Sequence, residues 1–238
     1  MDPPALDDDE PLSADVECLK WQAYLALRRL SNIRIRTDIS PAGALDARLP
    51  NLLVSETSLL AAHLIPQWAD EQTTADTDPL EGYKDEAARD ESRAWVSLLE
   101  GTVHAALLAA APAPSYLQSL FSLRPPPPSP IQSILTPPPP PLTGFASLLP
   151  PSGIRVPHAT IFAQYREAIA ALSDRLGTDK WFLGSSEPTP LDALAFAYLH
   201  CIILSSNSTL RVEVTRRVNL VAWEWRIREL VRAAFVTQ

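Results

Sequence analysis

Two cysteines, Cys18 and Cys201, and four histidines, His63, His104, His158 and His200, are the residues of this chain whose types suit nucleophilic or metal chemistry. Their spacing argues against both uses. No two histidines stand at HxxxH spacing and no CxxC pair occurs, so the sequence offers no metal-ligand pattern. No GxGxxG, P-loop or GxSxG is present, and seven glycines leave little material for a phosphate-cradling loop. Cys18 falls about one turn inside a helix, where the dipole could lower its pKa, although a cysteine in an amphipathic helix is more often a small core residue. No catalytic, cofactor-binding or metal-ligating residue is therefore assigned.

The local chemistry that does stand out is structural. Thr189-Pro190-Leu191-Asp192 places Thr and Asp three apart, with proline at a first helical position. The Thr189 hydroxyl can accept from the third helical amide while the Asp192 carboxylate reaches back to the Thr189 N–H, a capping box with Asp in the Glu role. Leu49-Pro50 entering the apolar run Asn51 to Val54 marks a strand start or edge, and Pro50 is a candidate cis residue.

The elements that must position these residues can be read from periodicity. Val16, Leu19, Ala23, Leu27 and Leu30 recur at helical intervals behind Asp15 as N-cap, predicting a helix over 16–30. Ile33-Arg34-Ile35-Arg36 alternates as a strand does, Ser40 to Gly43 reads as a turn, and Leu49 to Val54 is the second strand. A short apolar segment spans 59–68. Asp85 to Ala111 predicts a long helix, bent near Gly101, with Trp95, Leu98, Leu99, Thr102, Ala106 and Leu107 as its stripe. Ile161, Phe162, Tyr165, Ile169, Leu172 and Leu176 form another stripe, closed by Gly177. Leu191 to Leu204 is apolar all round and so the most buried. Val214 to Phe235 reads as one helix with Val218, Val221 and Trp225 on one face and Arg216, Arg217, Arg226, Arg228 and Arg232 toward solvent.

Composition bounds the rest. The chain has 238 residues, 46% hydrophobic and 20% charged, with a net charge of -8, so it is globular and lacks the basic footprint of a nucleic-acid binder. With no secretory signal, the two cysteines read as thiols in a cytosol-facing compartment. Val103 to Ala113 and Leu191 to Leu204 are each shorter than the ~20 apolar residues of a membrane span. The organisation expected is an acidic, disordered N-terminus (1–14), a reduced αβ unit (15–69), an acidic linker (70–84) and a helical domain (85–238). A Pro-rich insertion at about 112–157 holds the runs Pro125 to Pro128 and Pro137 to Pro141, preset near polyproline II. A ligand for SH3 or WW modules is the other reading of those runs.

An αβ unit followed by helices is also the layout of glutathione transferases, and four segments resemble one branch of them, the metaxin family of the mitochondrial sorting and assembly machinery. They are Asp15 to Leu19, Leu49 to Leu52, Glu91 to Glu100, and Trp181-Phe182-Leu183-Gly184 running into Thr189 to Leu194. The similarity extends from about Asp15 to Leu230, omitting the linker and the Pro-rich tract. It implies an α+β, mainly helical, glutathione-transferase-like fold with a truncated thioredoxin-like N-terminal unit. Two departures stand out: no hydrophobic strand precedes Val16, and no membrane-anchoring tail follows Gln238. Transferase chemistry needs a Tyr, Ser or Cys at the first strand-to-helix junction, where this chain has only Ser13 and Cys18. The resemblance therefore implies a non-enzymatic subunit without cofactor, on the cytosolic face of the mitochondrial outer membrane. Its expected partners are a membrane-embedded β-barrel channel, a second metaxin-like subunit and β-barrel precursors. An active glutathione transferase and a Pro-rich adaptor are the rival readings.

Overall fold

The computed structural model describes residues 12–30, 33–36, 43–45, 48–55, 58–73, 80–110 and 158–236. Residues 40–42 of the expected turn over Ser40 to Gly43, the acidic run 74–79, the Pro-rich tract and most of the N-terminal acidic segment lie outside them.

The first helix, α1 (Val16–Leu27), starts at Asp15, whose carboxylate accepts from the Cys18 N–H at 2.9 Å. It ends one turn earlier than its apolar spacing suggests. Arg29 adopts a left-handed φ of 64°, and Arg29 and Leu30 donate to the carbonyls of Ala26 and Leu25. These two bonds form a Schellman close that satisfies the last carbonyls without a glycine.

Strand β1 (Ile33–Arg34) follows, and then β2 (Asn51–Ser55), which begins only after a cis Leu49–Pro50 peptide. β2 pairs antiparallel with β3 (Ser58–Ala61), setting Leu52 against Leu60 and Leu53 against Leu59. A 3-10 turn (Ala62–Leu64) leads into α2 (Ile65–Gln72). Asp70 and Glu71, read from sequence as linker, thus belong to a helix; Asp70 pairs with Arg28 at the end of α1.

α3 (Glu86–Leu98) is capped by Asp85 and continues through a π turn (Leu99–Val103) into α4 (His104–Ala110). The glycine in the π turn, Gly101, is exposed, while Leu99 and Val103 on either side are fully buried. A wide turn adds a residue without breaking the helix, which is the physical content of the irregularity expected there.

α5 (His158–Leu176) buries Ile161, Tyr165, Ala168, Ile169, Leu172 and Leu176, with Phe162 half-buried. A 3-10 turn (Phe182–Gly184) precedes α6 (Pro190–Leu204), whose residues from Leu191 to His200 are all buried. α6 is the central helix: α1 packs on it most extensively, and α7 (Ser208–Thr215) and α8 (Val218–Ala234) lie against it.

The single helix expected over Val214 to Phe235 is two helices and a strand, β4 (Phe235–Val236). Nothing in Thr215-Arg216-Arg217-Val218 is a helix breaker. The break falls at Arg217, whose backbone is extended (φ -103°, ψ 96°), while Arg216 (2.8 Å) and Arg217 (3.2 Å) fold back onto the carboxylate of the buried Glu213. The face is corrected too. Leu220, Trp223, Glu224, Ile227 and Val231 point inward, whereas Val218 and Trp225 are 79% and 58% exposed. The 3.6 period allowed either stripe, and packing on α6 selected the one holding the acid.

One tie between layers has a pH signature. Arg175 on α5 donates to both carboxylate oxygens of Glu91 on α3, at 2.7 and 3.1 Å, and Trp95 Nε1 donates at 3.0 Å. These bonds pull the Glu91 carboxyl down to about 2 from an ordinary 4.5. A depressed carboxyl stabilises the fold fully above its unfolded pKa and loses that contribution as pH falls from about 4.5 toward 2. Because the Glu91 side chain is 41% exposed, screening limits the gain to about 1 kcal/mol. Glu91→Gln should lower the urea midpoint at pH 7 and leave it nearly unchanged near pH 2.

Candidate functional site

The start of α1 is where a transferase would keep its reactive group. Ser13 lies just before the Asp15 cap, with its hydroxyl accepting from the Asp15 N–H at 3.1 Å and its own N–H donating to Gln22 Oε1 at 3.0 Å. Cys18 is half-buried beside Asp15. Burial first, and the Asp15 charge second, push its thiol up to about 12. The helix dipole is outweighed, so the thiolate chemistry weighed for Cys18 is opposed by its surroundings. Across the α1–α6 interface, Cys201 is pushed up to about 12 by burial and then by the same Asp15, and its thiol donates to the Ala14 carbonyl at 3.4 Å. Both cysteines are free thiols.

The cis turn at Pro50 lies at the entry to β2, and Asn51 bonds to the backbone on either side of Leu49. The Asn51 amide donates to the carbonyls of Pro50 (3.1 Å) and Arg48 (3.4 Å), while its oxygen accepts from the Leu45 N–H at 2.9 Å. At the 3-10 turn that follows β3, the cap residue Ala61 provides no side-chain hydrogen bond to the free amides. A small cavity of about 20 Å³ is lined by Tyr24, Leu27, Arg28, Glu81 and Pro188 to Pro190. It has room for about one water, not for a peptide-sized substrate.

Thr189 and Asp192 form a capping box with an added bond. Asp192 Oδ2 accepts from the Thr189 N–H at 2.8 Å and hydroxyl at 2.6 Å, and Thr189 Oγ1 accepts from the Asp192 N–H at 3.4 Å. The second carboxylate oxygen accepts from the Phe182 N–H at 2.9 Å, so one side chain pins the 3-10 turn to the head of α6. Burial raises this carboxyl to about 6, opposed by those hydrogen bonds and by the charge of Arg226.

Two polar pairs escaped the sequence reading. His200 Nδ1 lies 2.7 Å from Glu224 Oε1 between α6 and α8, both side chains almost wholly buried, with the imidazole stacked on Phe196 and Nε2 unpartnered. The Tyr198 hydroxyl meets His104 Nδ1 at 3.2 Å between α6 and α4. The inward phase of Leu220, Trp223 and Ile227 would have placed Glu224 in the core, had that stripe been chosen. His63 and His158 are exposed on other elements, and among the described residues no three His, Cys, Asp or Glu side chains gather as a metal site.

The arginines of the last helices do not form a free cationic face. Arg216 and Arg217 pair with Glu213, Arg232 pairs with Glu229, and Arg228 lies 4.0 Å from Glu224. Arg226 donates to the Lys180 carbonyl and covers Trp181, and Arg211 donates to the Ser205 carbonyl. No helix among the described residues is long and apolar enough to cross a membrane.

Comparison with known proteins agrees with this architecture. A family model for the C-terminal domain of glutathione S-transferase matches residues 165–227. A glutathione S-transferase from Methylobacterium radiotolerans, solved in complex with glutathione sulfonate, aligns with a TM-score of 0.52 at 15% identity, over 95% of this chain and 93% of that one. No curated protein sequence matches the chain. The fold is thus glutathione-transferase-like, mainly helical with a small sheet.

Proposed function

We propose that this chain is a non-enzymatic, metaxin-like subunit of the mitochondrial sorting and assembly machinery, acting on the cytosolic face of the outer membrane. The observation that carries the reading is the start of α1, where a glutathione-transferase-like scaffold holds Cys18 as a neutral thiol. The bonds from Asn51 to the Arg48 and Pro50 carbonyls support it, because they occupy backbone acceptors beside the cis turn, and Ala61 at the head of the next turn has no side-chain polar group to offer a bound peptide. The Cys18-containing segment, Leu49 to Leu52, Glu91 to Glu100 and Trp181 to Leu194 supply the resemblance to metaxins. A scaffold relieved of chemistry offers its surfaces instead, here to a membrane-embedded β-barrel channel, a sister metaxin-like subunit and incoming barrel precursors.

The test is a fractionation joined to an activity assay. Alkaline carbonate should extract the tagged chain from mitochondria, and mild detergent should recover it with a β-barrel membrane protein and a second metaxin-like chain. Depletion should slow assembly of newly imported outer-membrane barrels before matrix import. Glutathione conjugation that depends on Ser13 or Cys18, with barrel assembly normal after depletion, would establish the transferase reading instead.

A further inference from the structure

Strand β1 has one partner among the described residues, and it comes from the far end of the sequence. β4 pairs with it in parallel, Phe235 opposite Ile33 and Val236 opposite Arg34, while β2 and β3 form a separate ladder. α8 runs into β4 without an intervening loop, since Ala234 is helical and Phe235 is already extended. The ladder is two residues long, held on its inner side by Phe235, which is 8% exposed, and by Ile33 packed against the core. A ladder this short opens locally at small cost, unlike the helices around it. Arg34 is exposed, and its register partner in the ladder is Val236, an uncharged residue.

We propose that β1 is an acceptor edge for an extended segment of a partner, and that β4 fills it in cis. The register and the charge of β1 specify the occupant: like β4 it runs parallel to β1 with an aromatic residue opposite Ile33, and where β4 has Val236 it carries an acidic residue to complement the exposed Arg34. The aromatic side chain takes the buried position of Phe235, and the acid supplies the cross-strand charge that β4 lacks. Being continuous with α8, β4 competes intramolecularly, so the edge opens to outside segments only when β4 is unseated. This goes beyond the assembly role proposed above and does not depend on it.

Phe235→Asp in the full chain unseats β4 by placing a charge in the aromatic position. The probe is a fluorescein-labelled peptide, Ala-Ala-Phe-Glu-Thr-Gln, read by anisotropy, with the same peptide carrying Lys for Glu as control. The variant should bind the Glu peptide at least about tenfold more tightly than the unaltered chain does. It should prefer Glu over Lys by about fivefold, a preference that Arg34→Ala abolishes. A folded variant that binds no better than the unaltered chain, or a preference that survives Arg34→Ala, overturns the proposal. If Phe235→Asp does not fold, Phe235→Ala is read in the same way, together with amide exchange in the unaltered chain. Exchange at Arg34 and Ile35 faster than in α6 then supports a strand that leaves its site, and exchange as slow as in α6 overturns it.

Discussion

Alanine at position 192 is expected to lower the free energy of unfolding by roughly 3–4 kcal/mol, the cost of stranding two buried amides and a hydroxyl. Asp192 is fully buried and accepts from Phe182 N–H, Thr189 N–H and Thr189 Oγ1. Thr189→Ala removes the hydroxyl with its 2.6 Å bond to the carboxylate and the long 3.4 Å cap bond, but leaves Asp192 accepting from both buried amides, so about 1 kcal/mol is expected of it. The ratio of the two effects is the informative quantity, because a simple N-cap would make them alike. The pH dependence follows from the raised carboxyl. With a folded pKa of about 6 above an ordinary 3.8, Asp192 contributes most stability below about 4, and that contribution falls as pH rises through 6. Asp192→Ala should therefore cost more at pH 4 than at pH 7.5. Denaturant midpoints at the two pH values check both the ratio and the sign.

The capping box was legible because its physics is local: four consecutive residues contain donor, acceptor and the proline that starts the helix. Its further bond to Phe182 was not, since the turn that brings Phe182 within 2.9 Å of Asp192 is set by Leu183 at a φ of 63° and by packing of Phe182 on Trp223. The same division runs through the helices. α5 and α6 were readable because one has a single dominant stripe and the other is apolar all round. α8 carries two tryptophans two residues apart, so periodicity alone left its face open, and His200 on α6 settled it by taking Glu224 inward. The sheet was the least readable part. Ile33 to Arg36 alternates as a strand should, but no local signal announces that its partner lies at Phe235.

For the site, residue type was a better guide than position. Ser13 and Cys18 could be named from sequence as the candidates at the start of the first helix, yet the sign of the Cys18 shift depends on its burial and on Asp15 turning its carboxylate toward the cysteine. A cap residue three positions before a cysteine serves the helix and opposes the thiolate. That conflict is invisible in a count of nucleophiles and decisive in the folded chain.

Gly82→Ala is expected to destabilise the protein by roughly 3 kcal/mol, from a left-handed backbone and a steric clash acting together. Leu80 to Tyr83 form a tight turn closed by Tyr83 N–H donating to the Leu80 carbonyl at 2.8 Å, with positive φ at both central residues, Glu81 (49°) and Gly82 (88°). A Cβ at Gly82 would lie 2.8 Å from the Pro188 carbonyl oxygen, a backbone atom fixed by the capping box that begins at the next residue. The turn also delivers Tyr83, 6% exposed, to the polar cluster of Ser92, Thr189 and Asp192. Displacing it therefore strains the contact of this turn with the head of α6. Two other glycines separate the contributions. Gly177 has a φ of 53° but open space, its nearest neighbour being Asp174 O at 3.8 Å, so Gly177→Ala should cost about 1 kcal/mol for conformation alone. Gly101 has neither a positive φ nor any atom within 4 Å of its added Cβ, and Gly101→Ala should cause no loss. Unfolding midpoints in the order Gly101→Ala, Gly177→Ala, Gly82→Ala, highest to lowest, are the expected result. A Gly82→Ala midpoint level with that of Gly177→Ala would mean that Pro188 is free to move, and that the turn does not brace the head of α6.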